Sequence, residues 1–190
     1  MKYASVYPLL LLGMLYSCTK DHDSPDLENP GLLPDRGDYL QEDFGTQAYA
    51  KELSGIYPSE IGLIYYDAET RTIPQLYLTR GAQDIRIDSL GSGAVYVQFE
   101  KFNTEFMPLQ LSVKIKSLLQ VSKDTIYLRG TDGQVRTDNS EGQIGSPLPQ
   151  SDDAELIGKY VRSTGHLQLF IDPMLPVPLK ADVKGNKTDI

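Results

Sequence analysis

The chain has 190 residues, with 26 acidic and 18 basic side chains, a net charge of −8 and a single cysteine. The acidic balance argues against a nucleic acid or an anionic membrane surface as a partner, because the chain lacks the basic excess that would release counterions. A single cysteine excludes an intramolecular disulfide, so the folded domain has to be stabilised by a hydrophobic core.

Residues 1–17 have the layout of a signal peptide that ends at Cys18. A lysine gives the segment a positive start, and residues 6–15 form an apolar stretch too short to span a bilayer. Leu15 and Ser17 are the apolar and the small residue that a peptidase requires when it cuts before a cysteine to be lipidated. We therefore expect acyl chains on Cys18 to hold the protein at a membrane. The alternatives are an ordinary secretory signal with an incidental thiol and a buried N-terminal helix.

The segment after the cysteine is predicted to be a flexible tether. Residues 19–30 are polar and acidic and contain two prolines, and a segment of this composition does not bury enough apolar surface to fold. A Lys-Asp-x-Asp run begins at Lys20 and resembles the export signal of surface lipoproteins of Bacteroidetes, which lie on the outer leaflet. The alternative interpretation of this run is a solvated linker.

The rest of the chain alternates apolar and polar residues in short runs. In residues 109–116 every second side chain is apolar, which predicts a strand with one face on a core and the other in water. Further strands are predicted at residues 61–66, 72–79, 85–88, 95–100, 126–128, 167–171 and 179–184. One-sided alternation is typical of antiparallel sheets, and only residues 48–53 favour a short turn of helix.

Candidate turns separate these runs and determine the predicted fold. They contain the Gly, Asp or Ser residues that tight turns require, and they lie at residues 67–70, 90–93, 122–124, 132–133 and 163–165. Strands joined in sequence by short turns predict an all-β fold, an antiparallel up-and-down β-barrel of about eight strands, with a two-sheet β-sandwich as the alternative. The predicted organisation is a signal peptide at 1–17, a lipidated N-terminus and tether at 18–45, and a single domain at 46–190.

A short motif, Leu-x-Gly-x-Tyr, occurs at residues 53–57 and again at residues 156–160. In a barrel, the glycine would let a strand bend while the tyrosine covers the floor of the barrel. The alternative interpretation is that two ordinary strands begin with the same three residues.

Three further motifs of the chain carry a resemblance to a known family. Gly-x-Tyr lies at 55–57, where calycins carry Gly-x-Trp on their first strand. Val-x-Phe-x-x-Phe follows at 97–102, and Gly-x-Leu-x-Leu at 165–169 precedes a proline-flanked segment at 176–178. This layout resembles that of calycin-like lipoproteins of Bacteroidetes over residues 51–185. The resemblance implies a small lipocalin- or avidin-like barrel on a lipid anchor, without an established reaction. Because the chain has no tryptophan, a lipocalin ligand is not carried over.

Candidate catalytic and metal-binding groups are few. His166 has Ser163 and Asp172 nearby in sequence, but closeness in sequence is not triad geometry, and a solvated turn histidine is the favoured interpretation. The adjacent carboxylates at 152–153 are predicted in a polar loop where charges are normally hydrated, although two converging carboxyl groups would support a hydrolase. Residues 132–142 offer oxygen ligands without the spacing of an EF-hand. We therefore predict no catalytic residues, no bound metal and no cofactor.

Four aromatic residues are the candidate ligand contacts. Tyr96, Tyr127 and Phe170 are predicted on strand faces opposite the aliphatic residues, where they could form a recognition surface with hydroxyl groups as polar handles. Cross-strand pairing that only stabilises the sheet is the alternative. Phe106 and Met107 are predicted on a loop, either as an exposed contact or as a plug at the end of the barrel.

These features predict an extracytoplasmic lipoprotein, anchored to the outer membrane through Cys18 and exposed at the cell surface, that binds a small ligand or glycan without catalysing a reaction. The main alternative is an accessory or structural protein of a surface complex, with a filled barrel and a protein partner. A carboxylate-dependent hydrolase is the third hypothesis and requires two carboxyl groups that converge in a cleft. The barrel alone does not separate these functions, because folds of this kind host many of them.

Overall fold

A computed structural model describes residues 43–44, 47–65, 77–104, 107, 109–139, 149–176 and 179–188. These ranges contain nine strands and one short helix. The elements in chain order are β1 (Asp43–Phe44), α1 (Gln47–Leu53), β2 (Gly55–Tyr65), β3 (Tyr77–Ser89), β4 (Ala94–Phe102), β5 (Leu109–Ser122), β6 (Thr125–Asn139), β7 (Ser151–Val161), β8 (His166–Asp172) and β9 (Leu179–Asn186). The predicted signal peptide, lipidation at Cys18 and most of the tether lie outside the described residues.

Strands β2 to β9 form a closed antiparallel barrel. Each of these eight strands pairs with its neighbour in the chain, and β2 pairs with β9 to complete the ring. The short β1 pairs with Val121 and Gln120 of β5, beyond the last pair that β4 makes with that strand at Leu118. Closure gives each barrel strand a partner on both sides. The predicted up-and-down barrel is therefore confirmed, the sandwich alternative is wrong, and the architecture is compatible with a calycin-like fold.

The alternating pattern of the sequence places one core inside the barrel. In β5, Leu111, Val113 and Ile115 point inward and are buried, while Lys114 and Lys116 between them are exposed. All eight barrel strands contribute buried side chains to a single core cluster. The burial of this apolar surface stabilises a chain that has no disulfide to support it.

The helix α1 covers one end of the barrel, where β2 begins. Ala50 and Leu53 on this helix are fully buried and belong to the core cluster. The hydroxyl of Tyr57 on β2 donates a 2.5 Å hydrogen bond to the carbonyl oxygen of Leu53. On the surface, Arg162 donates two hydrogen bonds, of 2.7 and 3.0 Å, to the carboxylate of Glu52. The predicted short helix is confirmed, and these contacts attach it to β2 and to the turn before β8.

Three of the predicted turns are confirmed and one is wrong. The confirmed turns lie at residues 90–93, 122–124 and 163–165 and connect successive strands. At residues 132–133, β6 continues without a break, because the strand pairs with β5 and β7 on both sides of this point. The register with β5 shifts between the pairs Lys114–Gln134 and Ser117–Gly130, so these residues form a β-bulge instead of a turn. The turn predicted at 67–70 lies outside the described residues.

Candidate functional site

The outer face of β4, β5 and β6 carries a groove of about 920 Å³. Its apolar and aromatic lining consists of Tyr96, Leu118, Leu119, Tyr127 and Leu128. Leu118 is 65% exposed, more than any other large hydrophobic side chain in the described ranges, and the two tyrosines are half-buried. The side chains of Tyr96, Leu118 and Tyr127 give the groove an apolar floor against which the flat face of a ligand can pack, whereas those of Leu119 and Leu128 are buried in the core.

The rest of the groove lining is polar. It consists of Lys114, Lys116, Gln120, Arg129, Thr131, Asp132 and Gln134. These seven side chains add hydrogen-bond donors and acceptors to the apolar floor. A ligand that combines apolar faces with hydroxyl or charged groups would therefore find partners for both.

The β-bulge in β6 shapes this groove. A Cβ atom on Gly130 would lie 2.7 Å from the carbonyl oxygen of Lys116, and one on Gly133 would lie 2.9 Å from a backbone oxygen of β7. Because these distances are too short for a side chain, the close approach of the strands requires glycine at both positions. Asp132 between them has a left-handed φ of 56°. As a result, Thr131 and Asp132 are both exposed and both line the groove.

The strand register places the two groove tyrosines at opposite ends of the floor. On β5, Lys116 pairs with Tyr96 of β4, and Gln120 pairs with Tyr127 of β6. Four residues along β5 and two strand spacings across the sheet separate the tyrosines by about 16 Å. The ammonium of Lys114 lies 4.6 Å from the centroid of the Tyr96 ring, in a cation–π contact. A ligand that contacts both tyrosines has to be longer than a single ring.

The groove is positively charged in a protein that is acidic overall. Lys114, Lys116 and Arg129 line it, and Asp132 is the one carboxylate in the lining. Four of the five arginines in the described ranges form an ion pair with a carboxylate, namely Arg80, Arg86, Arg136 and Arg162. Within the same ranges, Arg129 and the two groove lysines have no carboxylate within ion-pair distance. Among the described residues, the positive charge of the groove is therefore available to an anionic group.

The other two aromatic candidates do not share this groove. Phe170 is only 7% exposed and packs with Ile64 and Ile157 in a small cluster, with Tyr77 against it. Phe106 lies outside the described residues. Its neighbour Met107 is half-buried and packs against the core cluster, as the plug predicted from the sequence would do.

The three residues weighed as a triad have separate partners. The Ser163 hydroxyl donates to the carboxylate of Asp124. A ring nitrogen of His166, Nδ1, lies 3.2 Å from the side-chain oxygen of Asn186. Asp172 accepts a 3.0 Å hydrogen bond from a backbone amide and forms an ion pair with a lysine of β9. These contacts do not join the three side chains into the hydrogen-bonded chain that a triad needs.

The other candidate catalytic and metal-binding residues lie in strands. Residues 152–153, predicted in a loop, belong to β7, and Asp152 pairs with Arg136 at 2.5 Å. The oxygen-rich segment predicted from residue 132 onward belongs to β6 as far as residue 139. Within the described ranges, no three His, Cys, Asp or Glu side chains are grouped closely enough to hold a metal ion.

A second polar cluster lies on the outer face of β2, β3 and β9, around Tyr77. The Tyr77 hydroxyl donates a 2.5 Å hydrogen bond to Asp182, and the ammonium of Lys184 lies 2.8 Å from the same carboxylate. The Arg80 guanidinium lies 3.7 Å from the centroid of the Tyr77 ring. Burial, together with the hydrogen bond to Asp182, raises the pKa of the Tyr77 hydroxyl. Because these groups satisfy one another, we assign the cluster a role in the stability of the barrel wall.

Within the part of the chain that the structure describes, there is no helix with both the length and the apolar character to cross a membrane. Comparison of the chain with protein-family models, with curated proteins and with solved structures gives no match. The class of the protein is therefore defined by its architecture. It is an eight-stranded up-and-down antiparallel β-barrel with a groove of ligand size on its outer wall.

Proposed function

We propose that the protein is a binding module that captures a small ligand or glycan in the groove on β4, β5 and β6 without catalysing a reaction. The observation that carries this proposal is that Tyr96 and Tyr127 share one groove with seven polar side chains. Its volume of about 920 Å³ falls within the usual range of ligand sites, roughly 300–1,000 Å³. Tyrosine supplies an apolar ring face and a hydroxyl group, and a sugar can use both.

The packing of the barrel supports a site on the outer wall. The core cluster draws on all eight barrel strands, and α1 adds Ala50 and Leu53 to it at one end. Met107 and Leu175, from the loops after β4 and β8, pack against the same cluster. Barrels of this size hold either their own side chains or one small ligand inside, and here side chains occupy the interior.

We further propose that the protein is a lipoprotein of the Bacteroidetes type, held at the outer membrane by acyl chains on Cys18 and displayed at the cell surface. The support is the sequence around Cys18 and the polar segment that follows it. A flexible tether would hold the groove away from the membrane, within reach of glycans outside the cell. Cys18→Ser should release the protein from washed membranes, and membrane association of this variant would contradict the lipid anchor.

The binding proposal is tested with the purified protein on an oligosaccharide array. We expect at least one ligand, and we expect Tyr96→Ala and Tyr127→Ala each to weaken its binding by about ten-fold, because each removes a ring face. Tyr65→Ala is the matched control, since Tyr65 is 46% exposed on β2, which β3 separates from the nearest groove strand, β4. Equal binding by all four proteins, or equal losses in the three variants, would contradict this placement of the site.

A protein partner is the second candidate function, and the packed core together with the exposed Leu118 favours it. An accessory subunit of a surface complex would bury such a side chain at the centre of its interface. A photoreactive residue in place of Leu118 should then cross-link one defined protein in intact cells, whereas a binding module should give no defined adduct.

A further inference from the structure

We infer that the ligand of the groove is an acidic oligosaccharide, whose carboxylate or sulfate groups bind Lys114, Lys116 and Arg129. The inference rests on the proposed binding function and specifies the class of ligand for the same groove.

Charge is distributed unevenly over the protein. The protein has a net charge of −8, yet the groove combines three cations with a single carboxylate, Asp132. Elsewhere in the described ranges, each arginine has a carboxylate within 4.0 Å, as Arg162 has Glu52. A positively charged groove on an acidic protein attracts anions and disfavours cations. The planar guanidinium of Arg129 also matches the geometry of a carboxylate or sulfate group, because it can donate two parallel hydrogen bonds.

Two of the three groove cations are paired with an apolar residue on the neighbouring strand. Across β4 and β5, Lys116 pairs with Tyr96, and across β5 and β6, Arg129 pairs with Leu118. Side chains of directly paired residues have Cβ atoms about 5 Å apart. A sugar ring packed on the tyrosine or the leucine could therefore place an acidic substituent on the neighbouring cation. Uronic acids and sulfated sugars carry an acidic group on a ring in this way.

The spacing of the two tyrosines and the pairing of β5 restrict the length and the chemical nature of the ligand. Tyr96 and Tyr127 lie about 16 Å apart, so a ligand that contacts both has several units. An extended peptide cannot join the sheet here as an added strand, because Leu118 of β5 already pairs with Ala94 on one side and Arg129 on the other. The polar lining matches a ligand whose units carry hydroxyl groups, which favours an oligosaccharide over an acidic peptide.

The test uses an array on which uronate, sulfated and sialylated oligosaccharides stand beside neutral oligosaccharides of the same length. We expect the purified protein to bind acidic members only, and we expect the affinity to fall at least ten-fold between ~0.05 M and ~0.5 M salt, because ion pairs at an open groove are screened. Equal binding of neutral and acidic members would overturn the acidic-ligand inference and leave the proposed function standing. Binding of no member would contradict both.

A double variant tests whether Lys116 and Arg129 bind the acidic groups of the ligand. Lys116→Gln combined with Arg129→Gln should weaken binding of the acidic ligand by about ten-fold or more, because it removes two charge-assisted contacts. Lys51→Gln combined with Lys123→Gln is the control with the same change in net charge, at exposed lysines outside the groove lining, and should bind as the parent protein does. Equal losses in both double variants would show that net charge alone attracts the ligand and would overturn the assignment.

Competition with poly-L-glutamate separates a sugar from an acidic peptide. The polymer offers carboxylates without rings, so at equal carboxylate concentration it should displace the acidic oligosaccharide poorly. Tyr96→Ala should weaken oligosaccharide binding and leave the weak affinity of the polymer for the protein unchanged, because only a sugar ring packs on the tyrosine face. Displacement by the polymer at equal efficiency would overturn the assignment to a sugar.

Discussion

The rings of Tyr57 and Tyr160 meet edge to face inside the barrel, with their centroids 6.0 Å apart and their planes at 90°. They are the two tyrosines of the repeated Leu-x-Gly-x-Tyr motif, which lies at the start of β2 and in β7. Both side chains are buried, and aromatic pairs prefer this arrangement. Two segments that are distant in sequence and share this motif therefore contact each other, close to the end of the barrel that α1 covers.

The hydroxyl of Tyr57 should contribute to stability separately from its ring. Tyr57→Phe keeps the ring but removes the donor of the 2.5 Å hydrogen bond to the Leu53 carbonyl, in a fully buried site. We expect a loss of about 1–2 kcal/mol in the free energy of unfolding, measured by urea denaturation. Tyr65→Phe, at an exposed tyrosine, should leave the midpoint unchanged. A Tyr57→Phe protein as stable as its parent would show that this hydrogen bond makes no net contribution to the free energy of unfolding.

The same residue should make the protein sensitive to alkali. Burial raises the pKa of the Tyr57 hydroxyl well above its usual range, and the nearby Tyr160 and Glu52 raise it further. In the unfolded chain this tyrosine ionises near pH 10, so above that pH protons are lost from the unfolded state but not from the folded state. The stability present below about pH 10 should therefore fall with increasing pH, by up to about 1.4 kcal/mol per pH unit from this group.

Urea denaturation at a series of pH values between about 8 and 11 measures this dependence. Tyr57→Phe should flatten the alkaline loss of stability, whereas Tyr65→Phe should keep the slope of the parent protein. An identical slope in all three proteins would assign the alkaline sensitivity to other groups.

The barrel could be predicted from the sequence because its determinants are local. A strand with one buried and one solvated face requires strict alternation, and residues 109–116 show it in β5. The turns at 90–93 and 122–124 could be predicted for the same reason, since a tight turn restricts the residues within it. At 132–133 the same turn chemistry occurs inside a strand, and only the pairing of β6 with both neighbours distinguishes a bulge from a hairpin.

The groove could be predicted only in part. The alternation of apolar and polar residues predicts that Tyr96 and Tyr127 lie on the outer face of the barrel, and both line the groove there. Their distance from each other depends on the register of β5 with two other strands, which the sequence does not reveal. Phe170 follows the same alternation but is buried against Ile64 and Ile157, because contacts between strands remote in sequence cover it. The basic lining is not evident from the sequence, because the net charge of the whole chain is negative.

The bulge should be intolerant of a side chain at Gly130. The Cβ atom of Gly130→Ala would lie 2.5 Å from a methyl carbon of Ile115 and 2.7 Å from the Lys116 carbonyl oxygen. We expect a loss of about 1–3 kcal/mol in the free energy of unfolding and weaker ligand binding, because the strands have to separate at the groove. Gly81→Ala is the comparison, since the atoms nearest to its Cβ would be side-chain atoms of Phe102 and Thr104, no closer than 3.0 Å. Equal losses in the two variants would contradict a special role for the bulge.

The turn between β5 and β6 offers a stabilising substitution. Ser122 pairs with Thr125, so Lys123 and Asp124 form a two-residue connection, and Lys123 has a left-handed φ of 51°. This conformation is unfavourable for a residue with a Cβ atom and favourable for glycine, which two-residue hairpin turns often carry at this place. Lys123→Gly should raise the free energy of unfolding by about 0.5–1 kcal/mol in urea denaturation.

Replacement of lysine by glycine in α1, at Lys51, serves as the control for Lys123→Gly. Lys51→Gly should lower the free energy of unfolding by about 1 kcal/mol, because an exposed helical position favours lysine over glycine. The two variants remove the same charge and the same side chain, so opposite signs would assign the effect to backbone conformation. Destabilisation by Lys123→Gly as well would show that the turn gains more from its lysine side chain than it loses through the left-handed backbone.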